Sequence, residues 1–424
     1  MLTVIAGVNW GDEGKGRMVD YLAAHYDVIV RYQGGNNAGH TIINDMGKFV
    51  LNLVPSGIFG DTVNVLGAGM VIDLEHLHNE IKGLCDRGVR VSPDNLVVSD
   101  KAVICMPVHR MQDAVEEDRL GDKMQGSTRR GIGPVYADKL MRKALRTGDL
   151  FNRETLARKV HDFAAYKRLH VEGGYGAAMD SADEMLNWLE RHGAFLRDYI
   201  KDAGDFLTVS AKAGKNILFE AQLGALRDID YGIYPYTTSS TTLAAYAPIG
   251  AGVPAMGTDK VIGVIKAFSS CVGEGPFVVE MHGAQGEALR TAGAEFGAAT
   301  GRPRRVGGFD LVASAYGVAL QGADVLALTK LDVLRGMEQI PVCVAYEIDG
   351  RRVERFLSVD DLNRAKPVFE YFEGFTEDIT GIKKFNELPI AAQRYVKFIE
   401  SALNCPIGYV SVGAKRDEII VIGE

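Results

Sequence analysis

The densest chemistry in the sequence lies near its start. An apolar run from Leu2 to Val8 opens into Asn9-Trp10-Gly11-Asp12-Glu13-Gly14-Lys15-Gly16, and an amphipathic stretch from Arg17 to His25 follows. A buried strand, a Gly-rich turn and a helix in that order cradle phosphate on backbone N–H groups at a helix N-terminus. Lys15 stands where an ammonium reaches a phosphate oxygen. The match to the common phosphate loop is incomplete. That loop begins with a glycine and places a hydroxyl straight after its lysine, whereas Asn9 and Gly16 hold those places here. The hydroxyl that usually meets Mg²⁺ is therefore missing, and Asp12 is the nearest carboxylate for a metal-bound nucleotide. A tight turn without a ligand is the alternative reading.

Further loops carry similar chemistry. Gln33 to Thr41 is dense in glycine and asparagine, which allow close backbone approach and amide hydrogen bonds, and it ends on His40, a candidate acid or phosphate partner. Gln125 to Pro134 mixes hydroxyls, arginines and glycines, as a phosphate monoester requires or as an exposed basic turn would have. Tyr234 to Thr242 is a hydroxyl run flanked by tyrosines, either a ligand wall or a solvated loop. Thr300-Gly301-Arg302-Pro303-Arg304-Arg305 offers guanidiniums for bidentate capture of carboxylate or phosphate. Thr329-Lys330-Leu331-Asp332 follows an apolar run. An aspartate there can accept from the N1–H and amine of guanine, and it would reject adenine, whose N1 is an acceptor.

These loops need a rigid frame. Apolar runs and amphipathic stretches alternate along the chain, which predicts a largely parallel sheet with crossover helices. Strands are expected at Leu2–Val8, Asp27–Tyr32, Val63–Leu66, Asn216–Glu220, Val261–Ala267 and Val325–Thr329, with a hairpin around Asp349-Gly350. A helix near Ala391–Leu403 and strands Ile407–Val412 and Glu418–Ile422 close the chain. The charged stretch 154–203 lacks strand signals and reads as a helical insertion within a single domain over 1–424.

Composition narrows the class. At 424 residues there is chain enough for a large core, and the net charge of −8 gives no basic excess to meet nucleic acid. The five cysteines are scattered without metal-ligand spacing, which suits reduced thiols in the cytoplasm. No apolar run has membrane-spanning length, and with the first strand opening at Leu2 no targeting segment is expected.

Taken together and in this order, the loops resemble those of the adenylosuccinate synthetase family over nearly the whole chain. The carrying stretches are Trp10 to Gly16, Gln33 to Thr41, Arg130 to Pro134, Tyr234 to Ser240, Thr300 to Arg302 and Thr329 to Asp332. The resemblance implies an α/β fold: a large, mostly parallel central sheet, P-loop NTPase-like, with a helical insertion and small antiparallel elements. It implies a GTP-dependent ligase that needs Mg²⁺ and joins IMP to L-aspartate. Asp12 matches the base that takes the purine N1 proton, His40 the acid beside the phosphates, and Lys15 completes the catalytic set. Gly11, Gly14, Lys15, Gly16, Thr41, Lys330, Asp332, Ser411 and Gly413 match GTP contacts. Asp12, Asn37, Thr128, Arg142, Gln222, Thr238 and Arg304 match IMP contacts. Thr300 and Arg302 match aspartate binders, and Asp12 with the Gly39 carbonyl matches the Mg²⁺ ligands. Arg142 matches an arginine that reaches the neighbouring site of a homodimer.

One departure bears on the purine. The family has Glu-Gly-Ala-Gln-Gly where this chain has Glu220-Ala221-Gln222-Leu223-Gly224. The glutamine falls one residue early. A plain shift would re-aim its amide, and a local bulge would restore it. A paralogue aminating another 6-oxopurine nucleotide such as dGMP is the nearest alternative, and a GTP-binding switch without ligase activity is a more distant one. Asp12 favours the IMP reaction, and the arginine loop argues against a switch.

Overall fold

A computed structural model describes residues 1–297 and 301–422. Its frame is a ten-stranded sheet. The strands, in chain order, are β1 (Leu2–Gly7), β2 (Val28–Arg31), β3 (Val63–Leu66), β4 (Leu96–Ser99), β5 (Ile200–Lys201), β6 (Ile217–Gly224), β7 (Lys260–Lys266), β8 (Val325–Thr329), β9 (Ile407–Ser411) and β10 (Ile419–Val421). Across the sheet they run β10-β9-β8-β7-β1-β6-β2-β3-β4-β5. Every neighbouring pair is parallel except β9 with β10.

The sequence explains why β1 lies inside. Its residues alternate between two apolar layers, as the period of a strand demands. Val4 and Ala6 pack with Val28, Val30, Val65 and Phe219 on one face, whereas Ile5 packs with Met18, Val19 and Leu22 on the other. Those last three belong to α1 (Lys15–Leu22), which continues as a 3₁₀ turn to His25. The chain first builds outward from β1 through β2 to β5, then places β6 beside β1 and builds away on the other side through β7 to β10. A reversal of this kind opens a crevice at the carboxyl ends of the strands beside it, where α/β proteins bind ligands.

The helical segment after 152 contains Arg153–Tyr175 and Ala182–Leu196. It is not free of strand, contrary to expectation. Ile200 and Lys201 pair in parallel with Val98 and Ser99 and form the sheet edge. Two residues are too few to show any periodicity. Small sheets surround the frame. The expected hairpin forms between Gln339–Ile348 and Arg351–Val353, and the former also pairs with Lys366–Glu373. His40–Asn44 and Gly47–Leu51 form a hairpin, and Ser269–Cys271 pairs with Arg305–Gly307. The cysteines are unpaired thiols, and no described helix is long and apolar enough to cross a membrane.

The helix Leu311–Gln321 supports β1 from behind at very close range. A Cβ on Gly317 would lie 1.9 Å from the Val8 carbonyl oxygen. Gly317→Ala must push helix and strand apart, and we expect it to cost about 1–3 kcal/mol in denaturant unfolding. An unchanged midpoint would contradict this packing.

Candidate active site

The carboxyl ends of β1, β2, β6 and β8, with the turn after β9, converge on a cavity of about 550 Å³. From the first loop it collects Asp12, Gly14, Lys15 and Gly16, and from the second Asn37, Gly39, His40 and Thr41. Gln222, Arg304, Lys330, Asp332 and Gly413 complete the wall. Gly11 and Ser411 are buried and join through neighbours. The Gly11 N–H donates to Glu13 Oε1 at 2.8 Å, and the Ser411 hydroxyl receives Arg17 from α1. The remaining positions do not line the cavity. Thr128, Arg142 and Arg302 are exposed, and Thr238 is half-buried with its N–H on the Arg227 carbonyl at 2.9 Å. Thr300 lies outside the described residues.

The first loop is built around Glu13, which sequence reasoning passed over. Its buried carboxylate accepts from the N–H groups of Asn9 (3.1 Å) and Gly11 (2.8 Å) and from the Lys15 ammonium (2.5 Å). Thr329, at the end of β8, donates to the Glu13 carbonyl at 2.6 Å and ties the loop to the turn that carries Lys330 and Asp332. Gly14 caps α1, so the helix begins at Lys15 and its first N–H groups face the cavity wall. Gly16 also acquires a reason. A Cβ there would meet the His40 Cβ at 2.7 Å and the Ser56 Oγ at 3.0 Å. A serine or threonine after Lys15 would collide with the strand that carries His40.

His40 is held from behind. Its Nδ1 lies 2.5 Å from Glu220 Oε1, and Glu220 also receives the Ser56 N–H (2.8 Å) and hydroxyl (2.5 Å). Burial pushes the His40 pKa down, against the pull of Glu220. Burial also raises Glu220, yet His40, Arg31 and Ser56 outweigh it and keep the carboxylate ionised. An ionised carboxylate only accepts, so it fixes the proton on Nδ1 and leaves Nε2 for chemistry.

The purine-side departure resolves as a bulge. Ile5 pairs with Glu220 but Gly7 pairs with Gly224, so β6 carries extra residues there, and Leu223 has φ 60°. The Gln222 amide is thereby turned onto the side chain of Asn37, while its Oε1 accepts from buried Arg31 at 2.5 Å. Asp332 also lines the cavity, its Oδ1 is buried without a hydrogen-bond partner, and burial raises its pKa. Asp12, at φ 58°, faces Arg304, whose Nε is 2.9 Å from Oδ2.

A parallel sheet whose carboxyl ends bring together a glycine-capped helix start, a carboxylate-backed histidine and a waiting aspartate defines a nucleotide-handling α/β enzyme. A family model described as adenylosuccinate synthetase matches residues 4–420. Adenylosuccinate synthetase from Caldanaerobacter subterraneus is 43% identical over 99% of each chain, and adenylosuccinate synthetase 2 from Pseudoalteromonas translucida is 45% identical with the same coverage. Fully ligated adenylosuccinate synthetase from Plasmodium falciparum superposes with a TM-score of 0.93 at 35% identity, covering 99% of both chains. The chain belongs to the adenylosuccinate synthetase family, the ligases that form adenylosuccinate from IMP and aspartate. A cyanophage S-2L succinoaminodeoxyadenylate synthetase bound to dGMP and dATP shares the fold, with a TM-score of 0.61 at 19% identity.

Two of the residues missed from sequence share a signal. Arg31 and Lys266 are charges at the carboxyl ends of otherwise apolar strands, positions that a purely structural strand would fill with another aliphatic residue. Glu220, in the middle of β6, is a buried charge within an apolar run, and Glu13, in the first loop, carries no such signal. Glu220→Gln replaces an acceptor-only carboxylate with an amide that can also donate, so the proton is no longer fixed on His40 Nδ1. We expect turnover to fall about a hundredfold or more, with a melting temperature close to that of the parent. Near-normal turnover would show that the pair is only a packing element.

Proposed function

We propose that this chain couples GTP to the joining of IMP and L-aspartate through a 6-phosphoryl intermediate. The observation that carries the reading is the partnerless Asp332 Oδ1 in the same cavity as Asp12 and the α1 N-terminus. A buried carboxylate oxygen calls for a donor. Guanine supplies an N1–H and an exocyclic amine side by side, and adenine offers an acceptor at N1. With the base on Asp332 and Lys330, the phosphates extend toward Lys15, Gly16 and Thr41, and Ser411 and Gly413 border the base.

Asp12 takes the N1 proton of the hypoxanthine, and the 6-oxygen attacks the γ-phosphate, whose bond to the β,γ-bridging oxygen breaks as GDP leaves. His40 places Nε2 beside the transferring phosphate. Anionic oxygens in front and Glu220 behind raise its proton affinity, so that it donates as acid. The amine of aspartate then displaces the 6-phosphate. Positioning and charge neutralisation supply most of the first step. Asn37, Gln222, Thr128, Thr238 and Arg304 hold IMP, and Thr300 with Arg302 binds the aspartate carboxylates.

The donor set fits Mg²⁺, which keeps several waters and binds through one carboxylate plus substrate phosphates. Asp12 and the Gly39 carbonyl share the cavity wall, and the described residues contain no cluster of three or more metal-ligating side chains that would mark a dedicated all-protein site. When bound, the ion neutralises phosphate charge. Arg142 ends an exposed turn beside Leu140 and Met141, which are 82% and 57% exposed. In a homodimer this exposed turn would carry Arg142 to the neighbouring site. The reading places the enzyme in the cytoplasm.

The test is an assay with GTP, Mg²⁺, aspartate and either IMP or dGMP, following the ultraviolet absorbance of the 6-succinylamino product. Turnover with IMP is expected, and product from dGMP alone would overturn the reading. Asp12→Asn and His40→Asn should each lose about a hundredfold or more in turnover with little change in GTP affinity. Asp332 adds a pH test. Its pKa lies above the ordinary 3.8, and guanine donors favour its charged form. GTP affinity should therefore be full above that raised pKa and fall as pH drops through it. Asp332→Asn should abolish this acid limb and relax the preference for GTP over ATP. An unchanged ranking would remove Asp332 as the base reader.

A further inference from the structure

Glu295 is fully buried, and no sequence motif points to it. Its carboxylate receives Lys266 Nζ at 2.9 and 3.0 Å, Lys330 Nζ at 2.6 Å and Arg304 Nη1 at 2.8 Å. Arg304 reaches Asp12 through its other edge. The backbone strengthens the arrangement, since the Arg304 N–H donates to the Glu295 carbonyl at 2.9 Å and the Gly297 N–H to the Arg302 carbonyl at 2.8 Å. Glu295 thus sits at the base of the loop that carries Arg302 and Arg304. Burial raises its pKa, but the cations outweigh this and hold the carboxyl well below the usual range. One charge is shared among three cations from three segments, and two of those cations line the reaction cavity.

A lone structural counter-ion would need only one of them. Lys266 is buried and itself needs a partner. Lys330 and Arg304 stand at opposite tasks, the base end and the Asp12 end. Because both draw on the same carboxylate, a change at either alters what Glu295 offers the other. We infer that Glu295 is a positioning residue that couples Lys330, at the base end, to Arg304 and Asp12, at the reacting end. The inference rests on the assignment of Lys330 to GTP and Arg304 to IMP. With Lys330 drawn onto the base, Glu295 holds Arg304 more firmly and draws it away from Asp12, so the nucleotide's arrival frees the base for the purine.

The test is a double-mutant cycle on the full chain with Lys330→Met, Glu295→Gln and the double variant, reading the KM of IMP and of GTP separately. Lys330→Met should alter the KM of IMP by about threefold or more at saturating GTP, and this cross-effect should vanish in the Glu295→Gln background. A KM change confined to GTP, or independent effects that multiply in the double variant, would overturn the coupling while leaving the ligase reading intact. Should Glu295→Gln fail to fold by its melting curve, Lys330→Met alone decides, because a merely structural Glu295 transmits nothing to IMP. A parent protein without IMP turnover would overturn the ligase reading, and the coupling with it.

Discussion

Lys15 is buried, and its ammonium rests on Glu13. A lysine can be desolvated only if an anion travels with it, because an isolated buried charge costs far more than folding can supply. Glu13 is that anion, and it also collects the N–H groups of Asn9 and Gly11. In this way the loop satisfies its own lysine and N–H groups with its own carboxylate. The same logic recurs beside the cavity: Arg304 on Asp12, and Lys330 and Lys266 on Glu295. These cations stay aimed and largely withdrawn from water, and an incoming anion competes for a charge already desolvated. That is the preorganisation on which transition-state stabilisation depends.

How much of this could be read beforehand followed from the range of each interaction. Strands and helices with a sustained apolar pattern were legible, and the closing helix expected near Ala391–Leu403 runs Ile390–Ala402. The loops that converge on the cavity were legible too, because phosphate and base chemistry uses few residue types at short spacing. Partners distant in sequence were not. Nothing near His40 announces Glu220, and nothing near Lys330 announces Glu295. These contacts depend on which strand lies beside which, and the sheet order is set by long-range packing. The edge strand Ile200–Lys201 escaped for the opposite reason, being too short to carry any period.

The bulge in β6 shows why residue-by-residue carry-over needs a backbone. By position alone, Leu223 takes the place of the purine-facing glutamine. In the fold, Leu223 adopts φ 60° and lines the cavity beside Gly11, while Gln222 bonds Asn37 and Arg31. A left-handed leucine is strained. The strain is held in place by the pairing on either side of the bulge and by the Gln33 side chain, which donates to the Gln222 carbonyl at 2.7 Å. The amide is therefore fixed from both ends, by backbone register and by Arg31.

Gly16 joins these threads. The hydroxyl that most phosphate loops place after their lysine would occupy space that His40 and Ser56 fill here. A loop with that hydroxyl could hold a metal ion but would push the histidine away. This chain has the reverse arrangement: the volume beside Gly16 is filled by His40, which Glu220 backs, and in the proposed reaction the metal-binding role passes to Asp12. The exchange suits a reaction in which the phosphate acceptor is a second nucleotide and not water. Such an acceptor needs a base on its own side of the γ-phosphate and an acid near the transferring oxygens. In the proposed reaction those two groups are Asp12 on the loop and His40 across from Gly16, and both line one cavity.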